Sequence, residues 1–229
     1  MAKKKFIMVL DTETCNGYMV DGKLDLSDSL VYDIGFTVID KKGNIYCKKS
    51  LAIGDILCGE SELMRTAYYA EKIPKYWKDI KAGRRELVSF LHAKDIVRQV
   101  MKEYNITTVS AHNAKFDVNA LNTTIRYLTK SKIRYFFPKG TEIWDTMKGA
   151  LNTIAKQKGY ITFCQKNGYM TRHKNPRVRV TAEILYKYIS GEHDFIEEHQ
   201  GVDDCIIESQ ILVQILRQHK KKEFIVLYK

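Results

Sequence analysis

Residues 6–14 read Phe-Ile-Met-Val-Leu-Asp-Thr-Glu-Thr, a run of five apolar side chains that ends in two acids. A short run that is apolar on both faces is typical of a strand buried in the middle of a sheet. Because side chains alternate along a strand, Asp11 and Glu13 project to one face and Thr12 to the other. Two adjacent carboxylates in an apolar setting repel each other, and Mg²⁺ or Mn²⁺, which prefer oxygen ligands, would join them. The alternative is that Asp11 merely ends the strand and Glu13 is exposed beside it.

The residues that follow predict two more strands, over residues 30–40 and 45–53, joined by a Lys-Lys-Gly-Asn turn. Three consecutive strands followed by helices indicate an antiparallel meander at the start of a mixed sheet. Hydrophobic periodicity adds two short strands, over 107–111 and 142–146, and helices over 60–69, 85–104, 116–128, 147–158, 181–189 and 201–221. The expectation is a single α/β domain over residues 1–229, without internal repeats or flexible linkers.

A second acidic position follows the predicted strand at 107–111. Residues 111–117 read Ala-His-Asn-Ala-Lys-Phe-Asp, which places Asp117 in the first turn of the next predicted helix. His112 and Asn113, polar residues at a strand end, can point at a ligand in such a setting. Alternatively, Asn113 is a turn residue and Asp117 an acid that compensates the helix dipole.

The third segment reads His199-Gln-Gly-Val-Asp-Asp204 and leads into the last predicted helix. Gly201 gives the backbone freedom to turn, so that the imidazole of His199 can fold back over the carboxylates. The alternative is a structural or solvated histidine. Asp203 leaves the helix about 100° away from Asp204 and is not expected to share its role. Glu208, one helical turn beyond Asp204, is interpreted as a solvated helix position in preference to a residue that supports the acids.

The chain carries 38 Lys and Arg against 27 Asp and Glu, a net charge of +11. Such a surface attracts polyanions, which makes nucleic acid the expected partner. Basicity does not distinguish DNA from RNA, or either from an anionic membrane surface. The apolar run near the N-terminus is too short for a signal peptide or a membrane span, and the five cysteines form no Cys-x-x-Cys pair. These features favour the reducing cytoplasm and disfavour a disulfide framework, a zinc ribbon or a membrane partner.

Together the three acidic segments resemble the motifs of the DEDD exonuclease superfamily. Its members include the proofreading epsilon subunit of bacterial replicative polymerases, ribonuclease T and oligoribonuclease. The matching residues are Asp-Thr-Glu-Thr at 11–14, His-Asn-Ala-Lys-Phe-Asp at 112–117, and His-x4-Asp from His199 to Asp204. The histidine is that of the DEDDh branch, where a sister branch has Tyr-x3-Asp. The resemblance implies a ribonuclease H-like fold, in which an antiparallel meander and then parallel strands are flanked by helices.

The resemblance also implies phosphodiester hydrolysis with two divalent cations, Mg²⁺ or Mn²⁺. By analogy, Asp11, Glu13 and Asp204 would hold the first ion. Asp11 would bridge to the second ion, which Asp117 would support through water. His199 would be the general base, since an imidazole suits proton transfer near neutral pH. These five residues are the predicted catalytic set, and the four acids are the predicted metal ligands.

Other residues of the same motifs are predicted to bind the substrate. Thr12 and Thr14 match positions that help to seat the terminal nucleotide. His112 is assigned to the same group, and Asn113 would contact the sugar or phosphate. Phe116 either stacks near a base or packs in the core.

The chain departs from a compact member of this family in two segments. Residues 54–85 and 159–180 lengthen the gaps between the motifs and are predicted elaborations of the domain. The second segment is basic, with Tyr160, Phe163 and Tyr169 interleaved, which suits a surface that follows phosphates and stacks on bases. An ordinary solvated loop is the alternative.

The expected function is a metal-dependent 3′→5′ exonuclease that acts on single-stranded DNA ends and releases nucleoside 5′-monophosphates. A separate DNA polymerase is a candidate partner, and a role in replication or repair would fit. One alternative is an RNA 3′-end trimming exoribonuclease or oligoribonuclease of the same branch. Another is a non-catalytic nucleic-acid-binding module on this fold, which the presence of all four acids and the histidine disfavours. A cytoplasmic protein of a bacterium or of a phage in its host is the expected context.

Overall fold

Seven strands form one mixed sheet in the computed structural model, which describes residues 4–21, 23–67, 70–197, 200–218 and 225–227. In chain order the strands are β1 (Phe6–Cys15), β2 (Tyr18–Val20), β3 (Lys23–Asp25), β4 (Leu30–Asp40), β5 (Ile45–Ile53), β6 (Glu86–Val88), β7 (Thr108–Ala111), β8 (Glu142–Asp145) and β9 (Ile225–Leu227). The main sheet has the order β6-β5-β4-β1-β7-β8-β9, and β2 pairs with β3 in a separate hairpin.

Strand direction changes at β1, which has β4 on one side and β7 on the other. β1, β4 and β5 are antiparallel neighbours, whereas β7 and β8 continue the sheet in parallel with β1. The predicted meander followed by parallel strands is therefore confirmed. The two edge strands were not predicted: β6 pairs in parallel with β5, and β9 pairs antiparallel with β8.

Helices cover both faces of the sheet. They are α1 (Gly54–Leu57), α2 (Ser61–Met64), α3 (Ile73–Lys81), α4 (Phe90–Glu103), α5 (Ala114–Thr129), α6 (Thr146–Asn152), α7 (Lys158–Lys166), α8 (Ala182–Ser190) and α9 (Gly201–Leu216). Met8 and Leu10 of β1 pack into a core with α4 and α5, and the alternate residues Ile7 and Val9 pack into a second core with α8 and α9. β1 is thus buried on both faces, as its sequence predicts. None of the described helices is long and apolar enough to cross a bilayer.

Two glycines allow α9 to begin directly against the sheet. A Cβ atom on Gly35 of β4 would lie 2.0 Å from the carbonyl carbon of Gly201, and one on Gly201 would lie 2.7 Å from the Gly35 nitrogen. Gly201 is not among the glycines with positive φ. Gly201 is therefore needed for the close approach of two backbones. The expectation that it gives the chain freedom to turn was wrong.

The helix predicted over residues 85–104 is wrong at its start. Glu86–Val88 form the edge strand β6, and α4 begins at Phe90. Ser89 separates the two, because its hydroxyl accepts a hydrogen bond from the His92 N–H at 3.2 Å and caps the helix.

Other boundaries differ for local reasons. The helix predicted over 60–69 is one turn, α2, and α3 follows it with Pro74 in its first turn, where proline is tolerated. The helix predicted over 147–158 ends at Asn152, and a 3₁₀ turn, Ile154–Lys156, follows. The stretch after residue 159, expected to be irregular, contains most of α7. The last helix ends at Leu216, before the predicted end.

Candidate active site

Three of the predicted metal ligands meet at the carboxyl end of β1. One carboxylate oxygen from each of Asp11, Glu13 and Asp204 lies within 4.8 Å of the other two. Alternation along β1 puts Asp11 and Glu13 on one side of the strand, and the close approach of α9 brings in Asp204 from its first turn. Glu13 and Asp204 are buried and Asp11 is half-buried. The three acids could share one cation.

Asp117, the fourth predicted ligand, lies in the first turn of α5 and is 2% exposed. Its Oδ1 accepts hydrogen bonds from the Thr12 backbone N–H at 3.1 Å and from the Thr12 hydroxyl at 2.8 Å. Thr12 therefore joins β1 to α5 and orients Asp117. In this arrangement the Thr12 hydroxyl is occupied by a protein acceptor.

Burial and mutual repulsion raise the pKa values of all four acids. Burial raises the pKa of Asp11 well above its usual value, and the neighbouring carboxylates raise it further. Burial, and then the charge of Asp204, raise the pKa of Glu13 to about 9. Burial raises the pKa of Asp204 to about 8 and that of Asp117 to about 7. The protein alone therefore does not stabilise these carboxylates in their charged form.

These acids fit a hard divalent cation. The donors are all carboxylate oxygens, the ligand type that Mg²⁺ and Mn²⁺ prefer. Asp204 Oδ1 is buried and has no hydrogen-bond partner in the described part of the protein. A buried polar atom without a partner costs free energy, which a bound cation would offset.

Glu208 is a further acid at the site, and its interpretation as a solvated position was wrong. It is 2% exposed because this face of α9 packs against the sheet. Burial and the charges of Asp117 and Asp204 raise its pKa well above the usual value, and the His112 backbone N–H donates a hydrogen bond to it. The signal in the sequence was its spacing of four residues from Asp204, which places both acids on one helix face.

His112 connects the site to the segment that precedes α8. Its Nε2 lies 2.8 Å from the Val180 carbonyl oxygen, and its Nδ1 lies 3.0 Å from the Thr146 hydroxyl. Burial lowers the pKa of His112, which favours a neutral ring. The carbonyl can only accept, so in the neutral ring Nε2 carries the proton and Nδ1 is an acceptor that faces the Thr146 hydroxyl. The Ala111 carbonyl oxygen, 3.2 Å from the same hydroxyl, also accepts from it. Both ring nitrogens are thus occupied by protein partners, although the residue also lines the cleft.

Asn113 and Phe116 line a groove of about 590 Å³ along α5. Asn113 is exposed and has left-handed backbone angles, φ 67° and ψ 45°. Its N–H donates to Asp145 Oδ1 at 3.3 Å, which fixes the turn. Phe116 is half-buried and belongs to neither core cluster, which leaves it available to a ligand in the groove. Thr14, also half-buried, follows a β-bulge between Glu13 and Thr14.

His199, the predicted general base, lies outside the described residues. The residues that follow it are held by a buried charge network. Asp33 pairs with Arg85, and Asp33 Oδ2 accepts hydrogen bonds from the Tyr76 hydroxyl at 3.0 Å and from the Gly201 N–H at 3.3 Å. Arg85 Nη2 also donates to Gln200 Oε1 at 3.4 Å. The segment at 54–85 thereby contacts the loop that leads into α9.

Residues 169–180, which we call the basic arm, form a narrow hairpin. Met170 and Val178 form an isolated antiparallel bridge. The Tyr160 hydroxyl donates to the Arg179 carbonyl oxygen at 2.6 Å and holds the arm against α7. The arm therefore has a defined backbone conformation, and its residues 171–177 are exposed, as they would also be in a solvated loop.

The arm's cations are exposed and extend to the acidic cleft. Arg177 and Arg179 line a cleft of about 520 Å³ together with Asp11 and Glu208. The exposed cations are Arg172, Lys174, Arg177 and Arg179. Of the aromatic residues in this region, Tyr160 is fully buried and is not a stacking platform. Phe163 and Tyr169 are half-buried and pack on each other with ring centroids 5.7 Å apart.

Comparison with known proteins leaves the sequence family open but defines the fold. No protein-family model matches the chain, and no curated protein matches it. A 3′-exonuclease described with the histone mRNA stem-loop superposes with a TM-score of 0.57 at 12% identity, over 96% of this chain and 84% of that one. The nuclease domain of 3′hExo, a DEDDh family member bound to rAMP, gives 0.56 at 13% identity, over 95% and 94%. A full-length 3′-exonuclease gives 0.56 at 11% identity, over 95% and 84%. The chain therefore has the ribonuclease H-like α/β fold of these nuclease structures.

Proposed function

We propose that the chain is a metal-dependent 3′→5′ exonuclease of the DEDD superfamily, in its histidine branch. The observation that carries this proposal is the convergence of Asp11, Glu13 and Asp204 beside Asp117 at the end of β1. These acids occupy three separate motifs, and burial raises their pKa values even though the Lys72 charge opposes the rise at Glu13 and Asp204. A binding module that only contacts nucleic acid would have no need for so costly an arrangement.

The reaction follows from the assignment of the side chains. Asp11, Glu13 and Asp204 would hold one divalent cation, and Asp11 with Asp117 the other. When bound, the two ions would stabilise the charge on the attacking and leaving oxygens. His199 would accept a proton from the attacking water. The water oxygen then bonds to phosphorus, the bond to the 3′ oxygen breaks, and a nucleoside 5′-monophosphate is released while the 3′ oxygen takes a proton from solvent.

We further propose that the substrate is a single-stranded polynucleotide with a free 3′ end, and that DNA is preferred. The net charge of +11 and the exposed cations of the basic arm support a polyanion longer than a dinucleotide. RNA is the second candidate, since the structural neighbours include an exonuclease described with an mRNA stem-loop and a nuclease domain bound to rAMP. With DNA as substrate, proofreading beside a separate DNA polymerase would be a fitting role.

The test compares degradation of single strands labelled at the 3′ or the 5′ end, as DNA and as RNA, with Mg²⁺, Mn²⁺ or EDTA. We expect mononucleotides from the 3′ end, and no products in EDTA. Asp11→Asn should lower the rate by at least about 1,000-fold, or about 4 kcal/mol in activation free energy. Asp203→Asn, the same change next to Asp204 on α9, is the matched control and should change the rate by less than about 10-fold. Release from the 5′ end, or a normal rate in Asp11→Asn, would refute the proposal.

A further inference from the structure

Glu208 provides a fifth carboxylate on the same side of the cleft as Asp11. It lies one helical turn after Asp204 on α9, and it lines the cleft together with Asp11 and His112. At 2% exposure it is as deeply buried as Asp117. Its position therefore gives it access to the cleft interior and not to the outer surface.

Its two carboxylate oxygens have different surroundings. The backbone N–H of His112, at the end of β7, donates a hydrogen bond to the carboxylate and holds it in place. Oε2 is buried and meets no donor in the described part of the protein. A buried carboxylate oxygen without a donor costs free energy, and the cost grows beside other carboxylates. A cation between Asp11 and Glu208 would remove both costs.

The other acids of the site already have assigned roles or hydrogen-bond partners. Asp11, Glu13 and Asp204 form the trio whose oxygens lie within 4.8 Å of one another, which suits the first ion. Asp117 Oδ1 is occupied by two hydrogen bonds from Thr12. A second ion held by Asp11 and Asp117 alone would therefore have few direct protein donors. Glu208 Oε2 supplies the missing one.

We propose, on the basis of the function proposed above, that Glu208 is a protein ligand of the second divalent cation. It completes a site with Asp11 in the cleft that both residues line. The consequence is that this protein holds two cations before any nucleic acid binds, because the second ion does not depend on substrate phosphate for its ligands.

The experiment is a Mn²⁺ titration of the full chain without nucleic acid, followed by calorimetry and by electron paramagnetic resonance. The wild-type protein should bind two ions. Glu208→Gln keeps the size of the side chain and an acceptor for His112, and it should retain the first ion while the affinity for the second falls by about 10–100-fold. Glu208→Asp keeps the carboxylate but has a shorter side chain, and it should lower the affinity for the second ion by less than Glu208→Gln does. Asp203→Asn, which removes a charge from the same helix outside this cleft, should not weaken the binding of the second ion selectively.

Melting in EDTA separates ligation from folding. Glu208→Gln should melt no lower than the wild-type protein in EDTA, and should gain less from added Mn²⁺. Wild-type affinity for both ions in Glu208→Gln, an equal loss of both ions, or a single ion in the wild-type protein would overturn the proposal. Two ions with the predicted dependence on Glu208, but no nuclease activity, would instead refute the proposed function and leave this assignment standing.

Discussion

The buried acid Asp33 on β4 lies next to the acids at the end of β1, but it has different partners. Asp33 on β4 is directly opposite Glu13 on β1 in the strand register. Asp33 pairs with Arg85 and also accepts hydrogen bonds from Tyr76 and Gly201. Burial raises the pKa of Asp33, and the Arg85 charge opposes that rise.

The acids around the end of β1 have no comparable ion pair in the described part of the protein. In the part of the chain that the structure describes, Asp11, Glu13, Asp117, Asp204 and Glu208 make no ion pair with a lysine or arginine. The contrast separates structure from function. Where the fold supplies a counter-charge, the charge of the acid is partly balanced within the protein, and where it does not, the acid is available to an external cation.

The largest effect should come from removing the counter-charge of Asp33. Arg85→Met leaves a buried, unpaired carboxylate and should lower the free energy of unfolding by about 3–5 kcal/mol. Urea unfolding in EDTA measures it. The control is Arg84→Met, since the neighbouring Arg84 pairs with Asp79 at 65% side-chain exposure and should matter by less than about 1 kcal/mol. If Arg85→Met and Arg84→Met lower the free energy of unfolding equally, the Asp33–Arg85 pair does not differ from a surface ion pair.

The second prediction concerns pH, because the cleft acids are protonated in the metal-free fold. The pKa of Glu13 is raised from 4.5 to about 9 and that of Asp204 from 3.8 to about 8. Between those values the folded state binds more protons than the unfolded state, so stability falls as pH rises. In EDTA the free energy of unfolding should be lower at about pH 8 than at about pH 5.5 by at least 1 kcal/mol, or about 2–4 °C in melting temperature.

Two controls sharpen that result. Mn²⁺ should reduce the loss of stability at the higher pH, because the cation takes the place of the protons on the carboxylates. The double variant Glu13→Gln, Asp204→Asn should show a smaller pH dependence in EDTA than the wild-type protein. A stability that rises with pH in EDTA would show that the cleft acids are not held protonated.

A third test concerns the exposed cations of the basic arm, whose counter-charges would be the phosphates of a bound nucleic acid. Replacement of Arg172, Lys174 and Arg177 of the basic arm by alanine should weaken single-stranded DNA binding. The slope of log affinity against log salt should become shallower by about 0.7 for each phosphate that the variant no longer neutralises. Anisotropy with labelled DNA in EDTA measures both. Lys41→Ala with Lys42→Ala, in the turn after β4, is the control, and an equal effect there would make the arm no more than general surface charge.

The smallest effect should be that of Asp204→Asn on stability. Its carboxyl group is already protonated near neutral pH when no cation is bound, and asparagine replaces one neutral polar group by another. Urea unfolding in EDTA at neutral pH should change by less than about 1 kcal/mol, although the variant should lose nuclease activity. A loss as large as that of Arg85→Met would mean that Asp204 stabilises the fold.

The sequence predicted the acids of the site and the antiparallel meander followed by parallel strands, but not the surroundings of those acids. Asp11, Glu13, Asp117 and Asp204 were found because strand alternation and motif spacing are local properties. Their assignment to metal and catalysis stays a prediction that the geometry supports. Helix α4 was given the wrong start because the pairing of β6 with β5 is not visible in hydrophobic periodicity.

What the sequence alone determined is which side chains share a face: Asp11 with Glu13 on β1, and Asp204 with Glu208 on α9. Only the tertiary structure decided which faces meet. The contact of Gly35 with Gly201 brings α9 onto β1, buries Glu208 beside Asp11, and gives Asp33 its hydrogen bond from Gly201. The reason is physical: periodicity follows from the local backbone geometry, whereas burial and counter-charge depend on residues far apart in the chain.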